Sequence, residues 1–296
     1  MDKFTVRVPA TSANLGPGFD CLGLALDIYN FVTVSRSSSF SLSISGEGAD
    51  SLPRSQENLL YRSLAALYKK VGSPLPELEL ACENHIPLRR GLGSSAAAVV
   101  GGLMAGQELL GRPLSPQQLL GLATELEGHP DNVAPALMGG CQVVVGGLEI
   151  VSAPVPLPRG LVAALFIPDF EIPTREARAV LPQQVSRADA VYNVGRAALL
   201  VAALATGQLG YLRVATQDRL HQPARQSLFP AMERVFQAAL EAGALGVFLS
   251  GSGSTILALV KGRASPVAQA MARAAREAGV KGRTKIARPS LQGAGV

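Results

Sequence analysis

Hydrophobic and polar residues alternate at the start of the chain, as they do in an amphipathic β-strand. Phe4 to Val8 follow a period of two, and the same period returns at 31–35 and 40–45, between turn-forming residues. The pattern changes to helical spacing over Leu59 to Tyr68 and returns to alternation from Leu78 to Cys82. The first part of the chain is therefore predicted to contain strands, a helix and another strand.

A long apolar segment follows, over residues 94–110. It is rich in alanine and apolar on most faces, which predicts a buried helix. The next helix has a clear start signal, because Ser115, Pro116 and Gln118 occupy the N-cap, N1 and N3 positions of a capping box. The centre of the first half is therefore predicted to be helical.

Prolines at 154, 156 and 158 interrupt the pattern, which begins again with a strand over 161–167. We place a boundary there and predict two domains, residues 1–155 and 156–296. The second half alternates helices with strands, which predicts an α+β fold. Its predicted helices are 187–206, 231–242 and 267–278, and its further strands lie around Val247, at 256–260 and near 284–287.

The composition is that of a folded chain. Of 296 residues, 48% are hydrophobic and 17% are charged, which excludes a disordered chain and leaves room for two domains. The longest uninterrupted apolar run, 197–205, is far shorter than the ~18 residues of a membrane-spanning helix. The first residues lead directly into the strand pattern, so we expect a soluble protein with no export signal and no membrane partner.

The three cysteines, at 21, 82 and 141, form neither a Cys-x-x-Cys pair nor a spacing typical of zinc sites. This favours a cytoplasmic location. The net charge of +5 is unevenly spread, because residues 1–150 hold 10 Lys and Arg against 14 Asp and Glu, whereas residues 151–296 hold 17 against 8. With no Trp and 5% aromatic residues, the basic half fits a small anionic ligand better than a nucleic acid.

A glycine-rich loop, Gly91-Leu92-Gly93-Ser94-Ser95, stands between a predicted strand and the apolar helix. Free amides at a helix N-terminus favour phosphate, and the two serines add hydroxyl groups for oxygen atoms or Mg²⁺. The loop lacks the Gly-Lys-Ser/Thr of a Walker loop, so any nucleotide is held by a different fold. A glycine-capped helix packed on a sheet is an equally good reading of the glycines alone.

Polar groups are dense in the segment that contains Glu125, Glu127, His129, Asp131 and Asn132. Carboxylates are suitable Mg²⁺ ligands, which makes a metal or substrate site one interpretation. The alternative is a solvated helix end with Asp131 and Asn132 capping a short helix at 133–137, and for Asp131 we favour it. His129 alone is typical of a structural hydrogen-bonding residue.

Two more loops contain small or polar residues. The segment 250–254, Ser-Gly-Ser-Gly-Ser, separates two strands and is either an ordinary hairpin turn or a close approach to a phosphate or to the first glycine loop. The segment 11–20 places Asn14 and Asp20 in an irregular loop of the kind that commonly carries functional groups. Turn chemistry alone also accounts for this second loop.

Four segments in the same order resemble those of the homoserine kinases, a branch of the GHMP small-molecule kinases. The glycine-rich segment is shared by all GHMP kinases, whereas the first and third segments, with Thr-Arg-Glu-Ala-Arg at 174–178, are specific to the homoserine branch. The resemblance covers essentially the whole chain. The four segments are Pro-Ala-Thr-Ser-Ala-Asn-Leu-Gly-Pro-Gly-Phe-Asp (9–20), Pro-Leu-Arg-Arg-Gly-Leu-Gly-Ser-Ser-Ala-Ala (87–97), Glu-Gly-His-Pro-Asp-Asn-Val-Ala-Pro-Ala (127–136) and Leu-Ser-Gly-Ser-Gly (249–253).

The resemblance implies ATP and Mg²⁺ as cofactors. Ser95 and a glutamate are expected to hold Mg²⁺; Glu125 fits the family position best and Glu127 is the alternative. The residues expected to bind the triphosphate form one continuous segment: Pro87, Leu88, Arg89, Arg90, Gly91, Leu92, Gly93, Ser94, Ser95, Ala96 and Ala97.

The resemblance also implies the reaction, transfer of the γ-phosphoryl group of ATP to the side-chain hydroxyl of L-homoserine, a step of threonine biosynthesis. Arg178 and Arg225 are expected to bind the substrate carboxylate, although each alone could be a surface charge. Thr174 is expected near the transferred phosphoryl group. The residues expected around the substrate amino group and hydroxyl are Asn14, Asp20, His129 and Asn132.

Asn132 stands where some GHMP relatives have an aspartate, and an amide cannot accept a proton as a general base. We therefore expect direct in-line transfer with Mg²⁺ and no dedicated strong base. In that mechanism Asp20 and Asn132 orient the hydroxyl, which loses its proton late, so both count with Thr174 as expected catalytic residues.

The resemblance implies the fold in more detail than the strand pattern does. It is a two-domain GHMP kinase fold of class α+β, with an N-terminal α/β domain like domain 2 of ribosomal protein S5 and a C-terminal ferredoxin-like α/β domain. The active site lies between the domains. The N-terminal domain is expected to contain a left-handed β-α-β crossover, which periodicity cannot reveal. Members of the family are often homodimers, but nothing in this sequence decides that.

Three other functions were weighed. Another GHMP kinase, for example one acting on mevalonate, would not need the arginines at 178 and 225. A non-catalytic ligand sensor on the same fold would be expected to have lost phosphate or magnesium groups, which are intact here. A serine hydrolase is excluded because neither serine-glycine loop contains Gly-x-Ser-x-Gly.

Overall fold

Strands of the first half of the chain form one sheet and strands of the second half form another. The structure is a computed structural model that describes residues 3–147 and 149–296. The first sheet contains β1 (Lys3–Ala13), β2 (Leu22–Arg36), β3 (Ser41–Gly46), β4 (Leu78–Asn84), β5 (Cys141–Val145) and β6 (Val151–Val155). The second contains β7 (Leu161–Pro168), β8 (Gly246–Leu249), β9 (Ile256–Lys261) and β10 (Gly282–Ala287).

The helices connect these strands and cover the sheets. They are α1 (Leu59–Val71), α2 (Ser94–Leu109), α3 (Pro116–Glu127), α4 (Pro130–Met138), α5 (Thr174–Ala179), α6 (Arg187–Thr206), α7 (Leu212–Ala215), α8 (Gln222–Arg225), α9 (Met232–Glu241) and α10 (Ser265–Glu277). A short 3₁₀ turn precedes α7 at Leu209–Tyr211. The predicted capping box of α3 is confirmed, since Ser115 accepts from Gln118 N and the Gln118 side chain bonds back.

The long strand β2 organises the first sheet. β1 pairs with it antiparallel along most of its length, and β4 and β5 share its other edge. β3 is parallel to β4, and α1 connects the two strands. This β-α-β unit is the one in which the left-handed crossover is expected. The hand of that crossover stays a prediction.

The second sheet has the strand order β10-β7-β9-β8 with antiparallel neighbours, and α10 connects β9 to β10. This is the order of a ferredoxin-like domain, so the α+β class is confirmed. Successive residues of β7 face two different cores: Leu165 faces the large core under the first sheet, and Phe166 faces a smaller core with α9 and α10.

Two strands, β5 and β6, were missed from the sequence, and two, β1 and β2, were predicted too short. β6 contains Pro154 and was read as part of a proline-rich linker, but it is an edge strand, where proline is tolerated. The first residues of β2, 22–26, are all buried, so the alternation that reveals a half-exposed strand is absent there. The same holds for the last residues of β1.

The chain passes from the first sheet to the second between Val155 and Leu161, and the predicted boundary at residue 155 stays a prediction. The last residues return to the first sheet, because Pro289 forms a bridge with Leu26 and Gly295 forms one with Arg7. The C-terminal segment therefore ties the two sheets together.

Among the described helices, α6 is the one whose length and mean hydropathy would allow it to cross a membrane. In its most apolar 18-residue stretch, 22% is buried inside the protein. Its last turns contribute Leu200, Ala203 and Leu204 to the large core. The expected absence of a membrane partner stays a prediction.

The contact between α1 and α2 gives a test of the packing. A Cβ at Gly102 would lie 2.2 Å from the Leu60 carbonyl oxygen, so Gly102→Ala should lower the free energy of unfolding by about 1–3 kcal/mol. The matched control is Gly121→Ala in α3, where nothing lies within 4 Å of the added Cβ, and a gain of about 0.5–1 kcal/mol is expected. Urea unfolding measures both, and equal effects would contradict the packing argument.

Candidate active site

Three loops meet where the two sheets come together: 14–21 after β1, 85–93 before α2, and 250–255 between β8 and β9. Ser250 Oγ donates to the Gly91 carbonyl at 2.6 Å, and Gly251 N donates to Ala13 O at 3.1 Å. A Cβ on Gly91 would lie 2.0 Å from Ser250 O, so only glycine permits this approach. The serine-glycine segment therefore packs against the first glycine loop, one of the alternatives left open by the sequence.

The N-terminus of α2 opens toward this junction. Gly93 is its N-cap, with φ +68°, and no side chain caps the first amides. A Cβ on Gly93 would lie 1.9 Å from Thr11 Oγ1, so the turn also requires glycine for lack of space. Uncapped amides at the start of a 16-residue helix are a suitable site for a phosphate group.

The C-terminus of α3 faces the N-terminus of α2. Ser95 Oγ donates to Glu127 Oε2 at 2.8 Å, and Glu127 is the last residue of α3. Burial raises the pKa of Glu127, and the bond from Ser95 and the nearby His129 act against that increase. A partly buried carboxylate at the negative end of a helix dipole is a favourable place for a cation.

Glu125, the first choice for the metal from the sequence, is exposed, and the cavity beside Ser95 is lined by Glu127 instead. The two residues are about 200° apart around the helix, since each residue advances the chain by about 100°. The structure therefore brings the alternative residue, Glu127, to Ser95. Among the described residues there is no group of three or more His, Cys, Asp or Glu side chains able to hold a metal.

The start of α4 supplies His129, Asp131 and Asn132. Asn132 Oδ1 accepts from Thr11 Oγ1 at 2.8 Å, and Asn132 Nδ2 donates to Asp131 Oδ1 at 3.3 Å. His129 Nδ1 lies 3.2 Å from the same Asp131 oxygen, and the two form an ion pair when the ring is protonated. Asp131 is the main cause that raises the pKa of His129, and burial opposes it.

Asp20 and Arg178 form a bidentate ion pair across the site. Arg178 Nη1 lies 3.0 Å from Asp20 Oδ2, and Nη2 lies 2.8 Å from Oδ1. Asn14 Oδ1 accepts from Asp20 N at 3.0 Å, which fixes the loop that carries the carboxylate. Asn14 and Asp20 both have positive φ, a conformation that Asn and Asp tolerate better than most residues.

Arg225 lies beneath the same cavity and is 2% exposed. Burial, with Arg178 nearby, lowers its pKa to about 10, so the guanidinium keeps its charge at neutral pH. Neither arginine that was expected to bind a carboxylate is a free surface charge. Thr174, the first residue of α5, lies with its Oγ1 3.5 Å from Ser252 Oγ at the rim.

Two neighbouring cavities share Arg89, Ser94 and Ser95. The smaller, of about 120 Å³, is lined by all of the expected substrate-binding and catalytic residues. The larger, of about 500 Å³, extends along the first sheet and has apolar walls that include Val32, Ile44, Leu52, Pro53 and Ala97. Ala97 belongs to the expected triphosphate segment, but sequence reasoning missed the other walls and Thr11, because apolar strand and loop residues carry no signal of ligand contact.

Several residues of the expected triphosphate segment lie away from both cavities. Arg90 donates to three main-chain carbonyls, those of Leu88, Pro168 and Asp169, so it ties the glycine loop to β7. Pro87 lines a separate surface cavity. Leu92 and Ala96 are buried in the large core.

Comparisons with known proteins agree with this geometry. Residues 58–140 match the GHMP kinases N terminal domain, and residues 200–277 match the GHMP kinases C terminal family. A homoserine kinase of Moorella thermoacetica is 50% identical over 290 residues, which is 98% of each chain. A crystal structure of homoserine kinase from Cytophaga hutchinsonii superposes with a TM-score of 0.91 at 33% identity, covering 100% of this chain and 97% of that one.

A mevalonate kinase of L. major, solved in complex with R-mevalonate, superposes with a TM-score of 0.72 at 16% identity, covering 98% of this chain and 97% of that one. At that identity the likeness extends to the fold alone.

Proposed function

The chain belongs to the GHMP kinase family, in which its curated relatives are homoserine kinases, and we propose that it transfers the γ-phosphoryl group of ATP to the side-chain hydroxyl of L-homoserine. The observation that carries the proposal is the paired Asp20 and Arg178, with Arg225 buried behind them, in a cavity that the N-terminus of α2 borders. This arrangement supports the proposal, because side chains suited to a carboxylate and to an ammonium group lie next to main-chain amides suited to a phosphate.

ATP would occupy both cavities. The uncapped amides of Ser94 and Ser95 at the start of α2 are suited to its phosphates, and the apolar walls of the larger cavity are suited to the flat faces of a purine base. Arg89 is exposed between the cavities and is the one cation of the segment 87–97 that lines them. We propose that it contacts phosphate oxygens.

Ser95 and Glu127 would hold Mg²⁺. A hydroxyl and a carboxylate fit the hard oxygen ligands that Mg²⁺ prefers, and two protein ligands are typical when phosphates and water supply the rest. Bound there, Mg²⁺ would neutralise charge on the phosphate oxygens during transfer. The helix ends support this division, because the start of α2 favours an anion and the end of α3 favours a cation.

The ion pair of Asp20 and Arg178 suggests how a zwitterionic substrate enters. The two side chains satisfy each other. We propose that the substrate carboxylate takes the place of Asp20 on Arg178, and that Asp20 then accepts from the substrate ammonium or hydroxyl. The exchange favours a zwitterion, because a ligand with only one charge leaves Asp20 or Arg178 without a partner.

The phosphoryl transfer would be direct, with no dedicated strong base. Thr11 holds the Asn132 carbonyl oxygen, and an amide cannot take the hydroxyl proton as a carboxylate can. Asn132 and Asp20 would orient the hydroxyl, His129 would contact the substrate from the start of α4, and Thr174 would lie near the transferred group. The protein would then lower the barrier to phosphoryl transfer mainly by positioning the reactants and by stabilising charge.

Three expectations from the sequence stay proposals: a cytoplasmic location, a homodimer, and two domains at residues 1–155 and 156–296. The absence of a nucleic-acid partner is likewise an expectation. The two family matches lie on either side of residue 155, which supports the proposed domain boundary.

The first test is ADP release with Mg-ATP and different acceptors. Homoserine should stimulate ADP release strongly, whereas L-serine, mevalonate and buffer should not. The side chain of L-serine is one methylene shorter, so its hydroxyl lies too close to the carboxylate to reach the phosphoryl group, and mevalonate has no amino group for Asp20. Mass spectrometry should identify O-phosphohomoserine. Stimulation by mevalonate alone, or ATP binding without turnover on any acceptor, would refute the proposal.

The metal site is tested with a matched pair of variants. Glu127→Gln should lower the turnover at limiting Mg²⁺ by about 10–100-fold, because the carboxylate charge that binds the ion is lost. Glu125→Gln is the control two residues earlier in the same helix and should stay within about twofold of wild type, since Glu125 is exposed. The measurement is the Mg²⁺ dependence of ADP release, and the reverse order of effects would assign the metal to Glu125.

The role of Asn132 is tested by replacing its amide. Asn132→Ala should lower kcat, and Asn132→Asp should not raise it. A general base typically contributes about 10²–10⁴-fold, so a mechanism that lacked only a base would show a large gain in Asn132→Asp with a new limb in its pH profile. Intact turnover in Asn132→Ala would also contradict the assignment.

A further inference from the structure

We propose that His221 is a positioning residue for the substrate carboxylate: it holds the Arg225 guanidinium in its binding orientation and joins it to the loop that carries Asn14 and Asp20. The proposal rests on the proposed function, since it concerns how the same cavity recognises its substrate. His221 does not line the cavity and acts only through the residues it contacts.

The bonds of Arg225 leave one nitrogen available for a ligand. Its Nε donates to Ala177 O at 3.1 Å, and its Nη1 donates both to Gly251 O at 2.9 Å and to His221 Nδ1 at 3.0 Å. Within the described part of the chain no hydrogen bond is found for Nη2. Because Arg225 lines the cavity, Nη2 is the group that would reach a carboxylate.

The direction of the bond between Arg225 and His221 follows from chemistry. Arginine is a donor only, so His221 Nδ1 must be the acceptor and carries no proton. The proton is therefore on Nε2, which donates to the Gly16 carbonyl at 2.7 Å. The two bonds select the same tautomer, and the bond from Arg225 cannot form if the ring is doubly protonated, because Nδ1 then has no free lone pair.

The surroundings keep the ring neutral and fixed. His221 is fully buried, and burial, reinforced by the Arg225 charge, lowers its pKa to about 4 although Asp218 acts in the opposite direction. Asp218 Oδ2 is 3.6 Å from Nε2, too far for a hydrogen bond, and it accepts instead from the backbone N of His221. The Phe19 ring stacks on the imidazole with centroids 5.3 Å apart.

His221 thus connects two parts of the proposed substrate site, one from the first half of the chain and one from the second half. Gly16 lies between Asn14 and Asp20, and Arg225 lies in the second half. A shift of the imidazole would move the guanidinium and the 14–20 loop together. The expected consequence is a loss of substrate affinity that is larger for a substrate with a carboxylate than for one without it.

The test compares two substrates in two variants. His221→Leu removes both bonds, whereas in His221→Asn the side-chain oxygen can still accept from Arg225. We expect His221→Leu to lower kcat/KM for homoserine by at least about tenfold, the size typical of a lost bond to a charged group, and His221→Asn to lose less. KM for ATP should stay within about twofold, which also shows that the variants are folded.

The second substrate is 3-aminopropan-1-ol, which keeps the amine and the hydroxyl of homoserine but has no carboxylate. Its kcat/KM should fall much less in His221→Leu than that of homoserine does, since Arg225 has nothing to bind in this substrate and only the contacts of the 14–20 loop are affected. Equal losses on both substrates would mean a general structural role and would overturn the proposal. A wild-type protein inactive with homoserine would overturn the proposed function, and this inference with it.

A measurement on the unmodified protein remains informative if the variants do not fold. The chain has three histidines, so ¹⁵N-histidine NMR can resolve each ring, with His85→Gln to assign the exposed one. We expect the His221 signals of a neutral ring with the proton on Nε2 from pH 8 down to pH 5. A proton on Nδ1, or titration within that range, would overturn the proposal.

Discussion

The site depends on one main-chain oxygen, the carbonyl of Gly251. It accepts from Asn14 Nδ2 at 2.9 Å and from Arg225 Nη1 at 2.9 Å, so it fixes a side chain from each half of the chain at one point. The approach is possible because the neighbouring glycine loop contains Gly91, where a Cβ would collide with Ser250 O. The glycines of these loops therefore bring the two sheets close enough to share a ligand.

Charge is distributed around this junction by helix ends as much as by side chains. The start of α2 presents uncapped amides, and the end of α3 presents Glu127, so a region favourable to anions lies beside one favourable to a cation. Burial makes the pairing of these charges more important, because leaving a partly buried carboxylate or guanidinium unpaired costs more free energy than leaving an exposed one unpaired. The pairing of Asp20 with Arg178 is consistent with that cost.

Much of the fold followed from periodicity. The helices at α1, α2, α3 and α6 and the strands of the second sheet have the residue spacing that their environment requires, and the capping box at Ser115 located the start of α3. The strand segments that were not predicted lack a common signal, the alternation of exposed and buried residues. The first part of β2 is buried on both faces and β6 contains a proline, so neither shows the alternation of a half-exposed strand.

The sequence by itself determined which chemical groups are present and, through contiguous motifs, which segments line the proposed active site: the glycine loop, the 129–132 segment and the loop with Asn14 and Asp20. It also determined the family, by resemblance. Only the tertiary structure placed Glu127, and not Glu125, beside Ser95, turned Arg90 toward carbonyls rather than the cavity, and placed His221 behind Arg225. The reason is that these outcomes depend on the direction of a side chain around a helix or loop and on partners far away in sequence, which local patterns do not encode.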